Sequence, residues 1–301
     1  MSYLIATFYK FADMSDLTTK QQQILAWCEA EKIGGTIILA SEGINGTIAG
    51  SEQAIASILR NLRSLPNLAD LEHKESRAEK APFARLKVKI KPEIVTLGLP
   101  EVNPNQQVGT YVDPQEWNQI ISDPEVVVVD TRNDYEVEIG TFERAINPNT
   151  ESFREFPEYV AQNLDPEQNP KVAMFCTGGI RCEKASSYLL SQGFKEVYHL
   201  KGGILKYLEN VPPEKSKWEG ECFVFDERVA VKEGLQPGSH ELCYACGYPV
   251  SEADKESPQY ETNISCPHCY KQLTPEKKAR QINRRRAREE RKKSLITKVQ
   301  S

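Results

Sequence analysis

Residues 176–181 of this sequence, Cys-Thr-Gly-Gly-Ile-Arg, have the types and spacing of a loop that activates a thiol. The loop follows the apolar run 172–175 and precedes a helical pattern over 183–190. Adjacent glycines let successive backbone N–H groups point at one atom, and a helix N-terminus and an arginine add positive charge. A cysteine in such surroundings is held as a thiolate. We therefore predict Cys176 as the catalytic nucleophile of an active-site loop formed by Thr177, Gly178, Gly179, Ile180 and Arg181.

The length of this loop distinguishes two kinds of chemistry. Four residues separate Cys176 from Arg181. The corresponding loops of phosphatases that use a cysteine nucleophile have five, and a histidine usually precedes their cysteine. Phe175 occupies that preceding position here. Because a tighter ring suits a sulfur atom better than a tetrahedral phosphate, phosphatase or arsenate reductase activity is the less favoured interpretation.

Three further residues are predicted to lie beside the loop. Asp130 and Arg132 follow the apolar run 126–129, and ligands of parallel sheets sit at the carboxyl ends of the strands. We predict that both support the loop through charge-assisted hydrogen bonds and take no part in the chemistry. Cys182, at the start of the following helix, has two interpretations. It is either a resolving thiol that forms a disulfide with an oxidised Cys176 or a packed helix residue that points away from the loop.

Two Cys-x-x-Cys pairs near the C-terminus, with nineteen residues between them, have the spacing of a structural zinc site. A metal held by four thiolates can replace a hydrophobic core in a segment too small to form one. The alternative is that the pairs remain reduced or form disulfides without metal. The predicted zinc ligands are Cys243, Cys246, Cys266 and Cys269.

A strand predicted over 83–91 is basic at every second residue from residue 85 onward, and the intervening residues are apolar. Alternate side chains of a strand lie on one face, so four cations would be spaced about 6.6 Å apart over an apolar underside. Such a row could follow a nucleic-acid backbone, and an ordinary solvated sheet face is the alternative. The residues of this basic row are Arg85, Lys87, Lys89 and Lys91.

Charge is distributed unevenly along the 301 residues. The net charge is −5, but residues 271–301 contain twelve Lys or Arg against three Glu. The preceding 270 residues contain 26 basic and 40 acidic side chains. An acidic body with a basic tail predicts local attraction to a polyanion, and a tail that only aids solubility is the alternative.

Composition and hydropathy predict a folded chain that stays in the cytoplasm. Apolar residues make up 39% of the sequence and charged residues 27%, which excludes wholesale disorder. The longest apolar runs are far shorter than the ~18 residues that span a bilayer, so no membrane association is expected. The first residues lack a basic leader followed by a long apolar stretch, and a secretory signal is therefore not expected.

The elements that must position these residues form a mixed α/β chain. Residues 1–97 have the order β-α-β-β-α-β of a ferredoxin-like, acylphosphatase-like α+β domain. Residues 98–113 have the composition of a linker. Apolar runs alternating with helices over 114–212 predict an α/β domain with a parallel sheet. A C-terminal extension over 213–272 contains the cysteine pairs, and the basic tail over 273–301 is predicted to be a solvated helix or disordered.

The middle segment resembles rhodanese-like domains over about residues 110–210. The Cys176 loop is similar to the active-site loop of that family, and Asp130-Thr-Arg132 resembles its acidic-x-Arg strand end. Leu200-Lys-Gly-Gly203 resembles its closing glycine pair. The resemblance implies a rhodanese-like parallel-sheet domain with Cys176 as the active-site cysteine.

The whole chain resembles the bacterial oxygen-dependent tRNA uridine(34) hydroxylase family. The similarity rests on Ser41-Glu-Gly-Ile-Asn-Gly-Thr47, the strand from Phe83, the Cys176 loop and the C-terminal cysteine pairs occurring together. It implies conversion of the wobble uridine of tRNA to 5-hydroxyuridine, with O2 as co-substrate and Cys176 as a persulfide-forming position. We find no flavin or nicotinamide motif in the sequence, and no protein partner can be inferred from it.

Two other functions are compatible with the sequence. A sulfurtransferase would carry persulfide sulfur on Cys176 to a protein or RNA acceptor, and an RNA-binding adaptor would keep the loop without catalysis. The intact loop argues against the adaptor, while the front domain and the cysteine pairs favour a macromolecular substrate over a small sulfur donor. Without the family resemblance, the residues predict a rhodanese-like thiolate enzyme with polyanion-binding features.

Overall fold

The computed structural model describes residues 3–79, 81–83, 85–226 and 228–299, with side chains as far as residue 287. Its helices are α1 (Leu17–Ala30), α2 (Glu52–Arg63), α3 (Pro114–Ser122), α4 (Asp134–Val137), α5 (Phe156–Asn163), α6 (Ile180–Ser191), α7 (Gly203–Asn210), α8 (Glu252–Glu256), α9 (Pro267–Tyr270) and α10 (Pro275–Val299). Its strands are β1 (Tyr3–Phe11), β2 (Gly34–Ala40), β3 (Gly43–Gly50), β4 (His73–Ala78), β5 (Leu86–Ile90), β6 (Thr110–Val112), β7 (Val126–Asp130), β8 (Gly140–Phe142), β9 (Lys171–Phe175), β10 (Glu196–Leu200), β11 (Trp218–Gly220), β12 (Cys222–Phe223), β13 (Ala230–Val231), β14 (Glu241–Leu242) and β15 (Pro249–Val250).

The chain divides into two compact units. Unit 1 comprises residues 1–134 and 142–217, and unit 2 comprises residues 135–141 and 218–301. Unit 1 contains the first sheet and the parallel sheet with the Cys176 loop. Unit 2 contains the C-terminal cysteine pairs.

The first sheet of unit 1 has the strand order β4-β1-β3-β2-β5. β1 pairs antiparallel with β3 and β4, β2 pairs antiparallel with β3, and β5 runs parallel to β2. Helices α1 and α2 cover one face, where Phe8 and Ile48 are buried among their apolar side chains. Helix α2 begins directly after Ser51, whose side chain accepts a 3.2 Å hydrogen bond from Ala54 N and so caps the helix. The predicted ferredoxin-like architecture is confirmed.

One strand of this sheet escaped the sequence analysis. β4 has the polar sequence His-Lys-Glu-Ser-Arg-Ala, which lacks the alternation of a half-buried strand, and it pairs with β1 at the sheet edge. The strand predicted to close the fold begins at Leu86 rather than Phe83 and forms the opposite edge beside β2. The fourth strand of the ferredoxin-like order is therefore β4, and β5 is an addition to it.

The second sheet of unit 1 is parallel, with the order β6-β10-β9-β7. On one face, Trp117, Phe142, Phe175 and Tyr207 form edge-to-face aromatic contacts. On the other, the buried side chains of α5 and α6 form a second apolar layer. The predicted parallel sheet with both faces covered is confirmed, but β6 lies inside the stretch over 98–113 that was expected to be a linker.

Unit 2 is built from short strand pairs, with β12 beside β13 and β14 beside β15. Its basic tail forms helix α10, so the helical alternative predicted for this segment is the one observed. Gln281 of α10 is buried and its Nε2 lies 3.4 Å from the carbonyl oxygen of Ala245. Contrary to the expectation of a wholly solvated segment, the first part of α10 therefore packs on the cysteine region. Among the described helices, we find none whose length and hydropathy would let it cross a membrane.

Candidate active site

Cys176 lies at the carboxyl end of β9, directly before α6, and only 1% of its surface is exposed. The backbone N–H of Gly179 donates a 3.1 Å hydrogen bond to its Sγ. Gly179 has a φ of 104°, a left-handed conformation that favours glycine and that turns the chain into α6 at Ile180. The structure therefore contains the predicted cradle, in which a glycine turn at the start of a helix directs backbone N–H groups at one sulfur atom.

The surroundings of Cys176 favour its thiolate form. Burial alone would raise the pKa of the thiol, but hydrogen bonds from Cys182 and the positive charge of Arg181 outweigh that effect. The backbone N–H groups of Cys182 and Gly179 act in the same direction, and together these groups hold the pKa of Cys176 well below its usual range. Arg181 is itself buried, and its guanidinium lies 3.4 Å from Thr177 Oγ1. A reactive thiolate is therefore available at neutral pH.

The glycine pair Gly202-Gly203 lets the start of α7 pack closely against the loop. The N–H groups of Ile204 and Leu205, at the start of α7, donate to the carbonyl oxygens of Cys176 and Thr177 at 3.0 and 3.1 Å. Gly203 has a φ of 69°, and a Cβ atom there would lie 2.5 Å from the Cys176 carbonyl oxygen. Only glycine allows α7 to approach the loop this closely.

Asp130 and Arg132 form a fully buried pair next to the end of β9. The guanidinium of Arg132 donates to both carboxylate oxygens of Asp130, at 2.9 and 2.6 Å. Between them, Thr131 donates from its N–H and its hydroxyl to the Phe175 carbonyl oxygen, each at 3.0 Å. The arrangement fits the predicted supporting role, because it anchors the residue that immediately precedes Cys176.

Cys182 combines features of both interpretations of its role. It is fully buried, as a packed helix residue would be, and its Sγ lies 3.5 Å from Thr131 Oγ1. Its thiol nevertheless hydrogen bonds to Cys176, so it does not point away from the loop. Burial and the neighbouring Cys176 raise the pKa of Cys182, which makes it the hydrogen-bond donor of the pair.

Family models match both parts of unit 1. An acylphosphatase-like domain, described as UPF0176, matches residues 3–94, and the rhodanese-like domain matches residues 113–210. A solved rhodanese-like domain from Anabaena sp. is 18% identical, with a TM-score of 0.31, over 36% of this chain and 78% of that chain.

Two curated relatives match nearly the full length. A tRNA uridine(34) hydroxylase of Picosynechococcus sp. is 63% identical over 278 residues, which cover 92% of this chain and 93% of the relative. This chain belongs to the tRNA uridine(34) hydroxylase family. A second member, from Teredinibacter turnerae, is 55% identical over 287 residues, or 95% of this chain and 89% of the relative. The family predicted from the sequence is confirmed.

In this member of the hydroxylase family, the Ser41–Thr47 motif connects the first sheet to α6. Glu42 accepts a 2.7 Å hydrogen bond from Ile94 N and pairs at 2.7 Å with Lys184 of α6. Lys184 also pairs with Glu93, and all three side chains are at least nine-tenths buried. The sequence analysis missed this triad, because a Glu-Lys dipeptide in a helix ordinarily indicates a solvated face.

Beside the loop of this hydroxylase lies a second group that the sequence analysis missed, formed by Tyr9, Tyr111 and Glu183. The Tyr9 hydroxyl donates a 2.8 Å hydrogen bond to the Glu183 carboxylate, which also accepts one from Tyr111. His199 packs against the Tyr111 ring at a centroid distance of 4.2 Å, and its Nε2 lies 3.2 Å from the Gly109 carbonyl oxygen. Burial lowers the pKa of His199 to about 4, so it is a neutral structural residue. No sequence motif marks Tyr9 or Glu183.

The C-terminal cysteines of the hydroxylase chain come together in unit 2. The sulfur atoms of Cys243, Cys246, Cys266 and Cys269 all lie within 4.8 Å of one another. Cys246 Sγ and Cys269 Sγ lie 3.7 and 3.8 Å from Cys266 Sγ. Four thiolates bound tetrahedrally at about 2.3 Å from one ion would be about 3.8 Å apart. This cluster could therefore hold a metal ion.

The basic row lies along β5 and its flanks at the edge of the first sheet. Leu86 and Val88 pack against the apolar core, so Lys87 and Lys89 project from the opposite face, which we call the open face because α1 and α2 do not cover it. Arg85, Lys89 and Lys91 are exposed and Lys87 is half-buried. The predicted apolar underside holds for Leu86 and Val88 but not for Ile90, which is exposed, and Ala84 lies outside the described residues.

A line of polar side chains crosses that open face from the basic row toward the cysteine loop. In register, Lys87 lies beside Thr36, Thr36 beside Thr47, Thr47 beside Thr7 and Thr7 beside Lys74. Thr7 and Thr47 share a 3.1 Å hydrogen bond, which confirms that they lie on one face. In the edge strand β4, Lys74 donates a hydrogen bond to the carbonyl oxygen of Gly202. Gly202 immediately precedes Gly203, the residue that packs against the Cys176 carbonyl.

Proposed function

We propose that this chain is an oxidoreductase that converts uridine 34 of tRNA to 5-hydroxyuridine, with O2 as the oxygen source and Cys176 as the nucleophile. The observation that most directly supports it is the thiolate cradle around Cys176, in a chain 63% identical to a tRNA uridine(34) hydroxylase. The proposed site comprises Cys176 and the loop from Thr177 to Arg181, with Asp130 and Arg132 as support. A tRNA substrate also implies a cytoplasmic enzyme.

The chemistry starts with addition of the Cys176 thiolate to C6 of uracil, which moves the C5–C6 electron pair onto C5 and O4. The carbanion-like C5 then reacts with O2. One oxygen atom stays on C5 as a hydroxyl, and an external two-electron reductant converts the other to water. Loss of the C5 proton and expulsion of the thiolate restore the C5–C6 double bond. Covalent addition of this kind divides one difficult step into easier ones.

Nucleosides of tRNA from cells with and without the gene, measured by mass spectrometry, test this function directly. Supplied with a two-electron reductant, the purified enzyme should form 5-hydroxyuridine in air and none without O2. A sulfurtransferase would instead continue under anaerobic conditions when supplied with a sulfur donor. Sulfur transfer to RNA without O2, and no hydroxylated product in air, would contradict the proposal.

The basic row and the polar line across the open sheet face are proposed to bind the tRNA backbone. Cations along β5 would contact phosphates, and the line from Lys87 to Lys74 would guide the strand toward the Cys176 loop. The basic helix α10 is proposed to add further phosphate contacts through its charge.

Reversal of Arg85, Lys87 and Lys89 to Glu is expected to weaken tRNA binding without unfolding the domain, because these side chains lie on the open face. Each phosphate contact adds about 0.7–0.9 to the slope of log affinity against log salt, so the slope should fall by about two to three. Titrations of tRNA with each protein at several salt concentrations measure this slope. The matched control reverses Arg60, Lys195 and Lys215, which are exposed but lie away from this face. Equal losses in both triple variants would show that only net charge matters.

The four-cysteine cluster is proposed to bind one structural zinc ion. The sulfur separations of 3.7 and 3.8 Å suit tetrahedral zinc, and four protein ligands leave no position for a substrate. The small core around it contains Val250, Ala245, Tyr248 and Tyr260 besides the cysteines, and a core of this size gains stability from a bound metal.

Freshly reduced protein is expected to contain about one zinc per chain by metal analysis. Cys266→Ser should lower the zinc content severalfold and make residues 240–272 sensitive to protease, because the metal replaces a core there. Unit 1 should stay folded, since it has its own core. Cys28→Ser, at a buried cysteine of α1, is the control that should keep the metal. Sub-stoichiometric zinc in wild-type protein would contradict the assignment.

A further inference from the structure

The first sheet contributes directly to the surroundings of the Cys176 loop. Ile180, the first residue of α6, packs against Phe11, Ala40 and Ile94. The Tyr9 hydroxyl lies so close to the loop that a Cβ atom on Gly179 would be 2.8 Å from it. Gly179 is also the residue whose N–H binds the Cys176 sulfur. The Tyr9 side chain of β1 therefore lies against the residue that hydrogen bonds to the nucleophile.

The Glu183 carboxyl is held at this edge of the loop by phenols. Glu183 lies in the first turn of α6, and Tyr9 from β1 and Tyr111 from β6 both hydrogen bond to it. Its neighbour Lys184 is directed elsewhere, to Glu42 and Glu93. A cation beside Glu183 would hold the carboxylate in its charged form. The two phenol hydroxyls leave it free to gain and lose a proton, as a general base must.

The loop is accessible at its centre. A Cβ atom added to Gly178 would meet no atom within 4 Å, so free space borders the loop there. Tyr111 has 45% of its surface exposed, and its aromatic ring could contact a base that approaches from solvent. Gly178 of the loop and Tyr111, a partner of Glu183, are therefore both reachable from solvent.

We propose that Glu183 is the base that takes the proton from C5 of the uracil in the last step of the reaction. The inference rests on the proposed hydroxylase function. The C5–H bond breaks and its proton passes to a Glu183 oxygen, while the electron pair forms the C5–C6 double bond. The C6–S bond breaks, and its electron pair returns to Cys176 as the thiolate. Tyr9 is a positioning residue that orients the carboxylate.

The acidity of Glu183 is suited to this role. Burial raises its pKa to about 7, the hydrogen bonds from Tyr9 and Tyr111 oppose that rise, and the charge of Cys176 adds to it. Three separate elements, β1, β6 and the loop, therefore influence the acidity of this carboxyl. The base must be deprotonated, so activity should fall as the pH drops through about 7.

Glu183→Gln tests the assignment, because the amide keeps a hydrogen-bond acceptor but cannot take a proton. We expect product formation to fall at least about 100-fold, as for loss of a general base. Since addition precedes elimination, a covalent Cys176–RNA adduct should accumulate with tRNA on denaturing gels. The Glu183→Asp variant should recover part of the activity, and Tyr9→Phe should shift the acid limb of the pH profile.

The matched control is Glu196→Gln, which alters another tyrosine–glutamate pair. Tyr198 Oη lies 2.6 Å from Glu196, and both residues are in β10, with Glu196 at the end of the strand opposite to the loop. It should react like the wild type. Activity of Glu183→Gln within threefold of wild type would overturn the inference, as would loss of product without any adduct in a folded, tRNA-binding variant. Wild-type enzyme that forms no hydroxylated product in the same assay would instead overturn the proposed function.

Discussion

Cys176→Ser is expected to abolish 5-hydroxyuridine formation, with a fall of at least ~10³-fold, and to leave tRNA affinity nearly unchanged. A serine hydroxyl fits the cradle in which Gly179 N lies 3.1 Å from the sulfur, but it does not ionise near neutral pH. Product measured by nucleoside mass spectrometry and binding measured by filter retention separate the two effects.

Cys182→Ser is the companion variant in that experiment. A hydroxyl at residue 182 can still donate a hydrogen bond to the Cys176 sulfur, so most activity should remain. A loss comparable to that of Cys176→Ser would support a resolving role for Cys182. Substantial hydroxylated product from Cys176→Ser would remove the thiolate from the mechanism, and with it the catalytic role proposed for this loop.

Lys184→Met is expected to lower the free energy of unfolding of unit 1 by about 3–5 kcal/mol, because it leaves two buried carboxylates without a counter-charge. Lys184 is fully buried between Glu42 and Glu93, and it joins α6 to the first sheet. Chemical denaturation followed by a fluorescence probe measures the change.

Two further variants test whether the loss comes from the uncompensated charges. Combining Lys184→Met with Glu42→Gln and Glu93→Gln should recover much of the stability, since no charge is then buried and the amide oxygens still accept from Ile94 N and Leu97 N. Lys171→Met breaks the more exposed pair with Glu125 and should cost less than about 1 kcal/mol. Equal effects at Lys184 and Lys171 would contradict the argument.

The features that the sequence revealed were those encoded in short windows. The Cys176 loop was recognisable because strand, glycine turn, arginine and helix follow one another within a few residues. The same holds for the apolar runs 126–129 and 172–175, which lie in the parallel strands β7 and β9. The spacing of the C-terminal cysteines likewise predicted that their sulfurs would meet, as they do within 4.8 Å. The backbone over a few residues imposes the geometry of the loop, of these strands and of each Cys-x-x-Cys pair.

Other features were decided by contacts between distant segments. β4 is polar and lacks alternation, so only its pairing with β1 makes it a strand. Tyr9 and Glu183 are 174 residues apart in sequence, and neither has a local signal of activity. Lys184 looks like an ordinary solvated helix residue until Glu42 and Glu93 enclose it. The physical reason is that the charge state and burial of a polar side chain depend on which partners tertiary packing brings to it, and local sequence does not specify those partners.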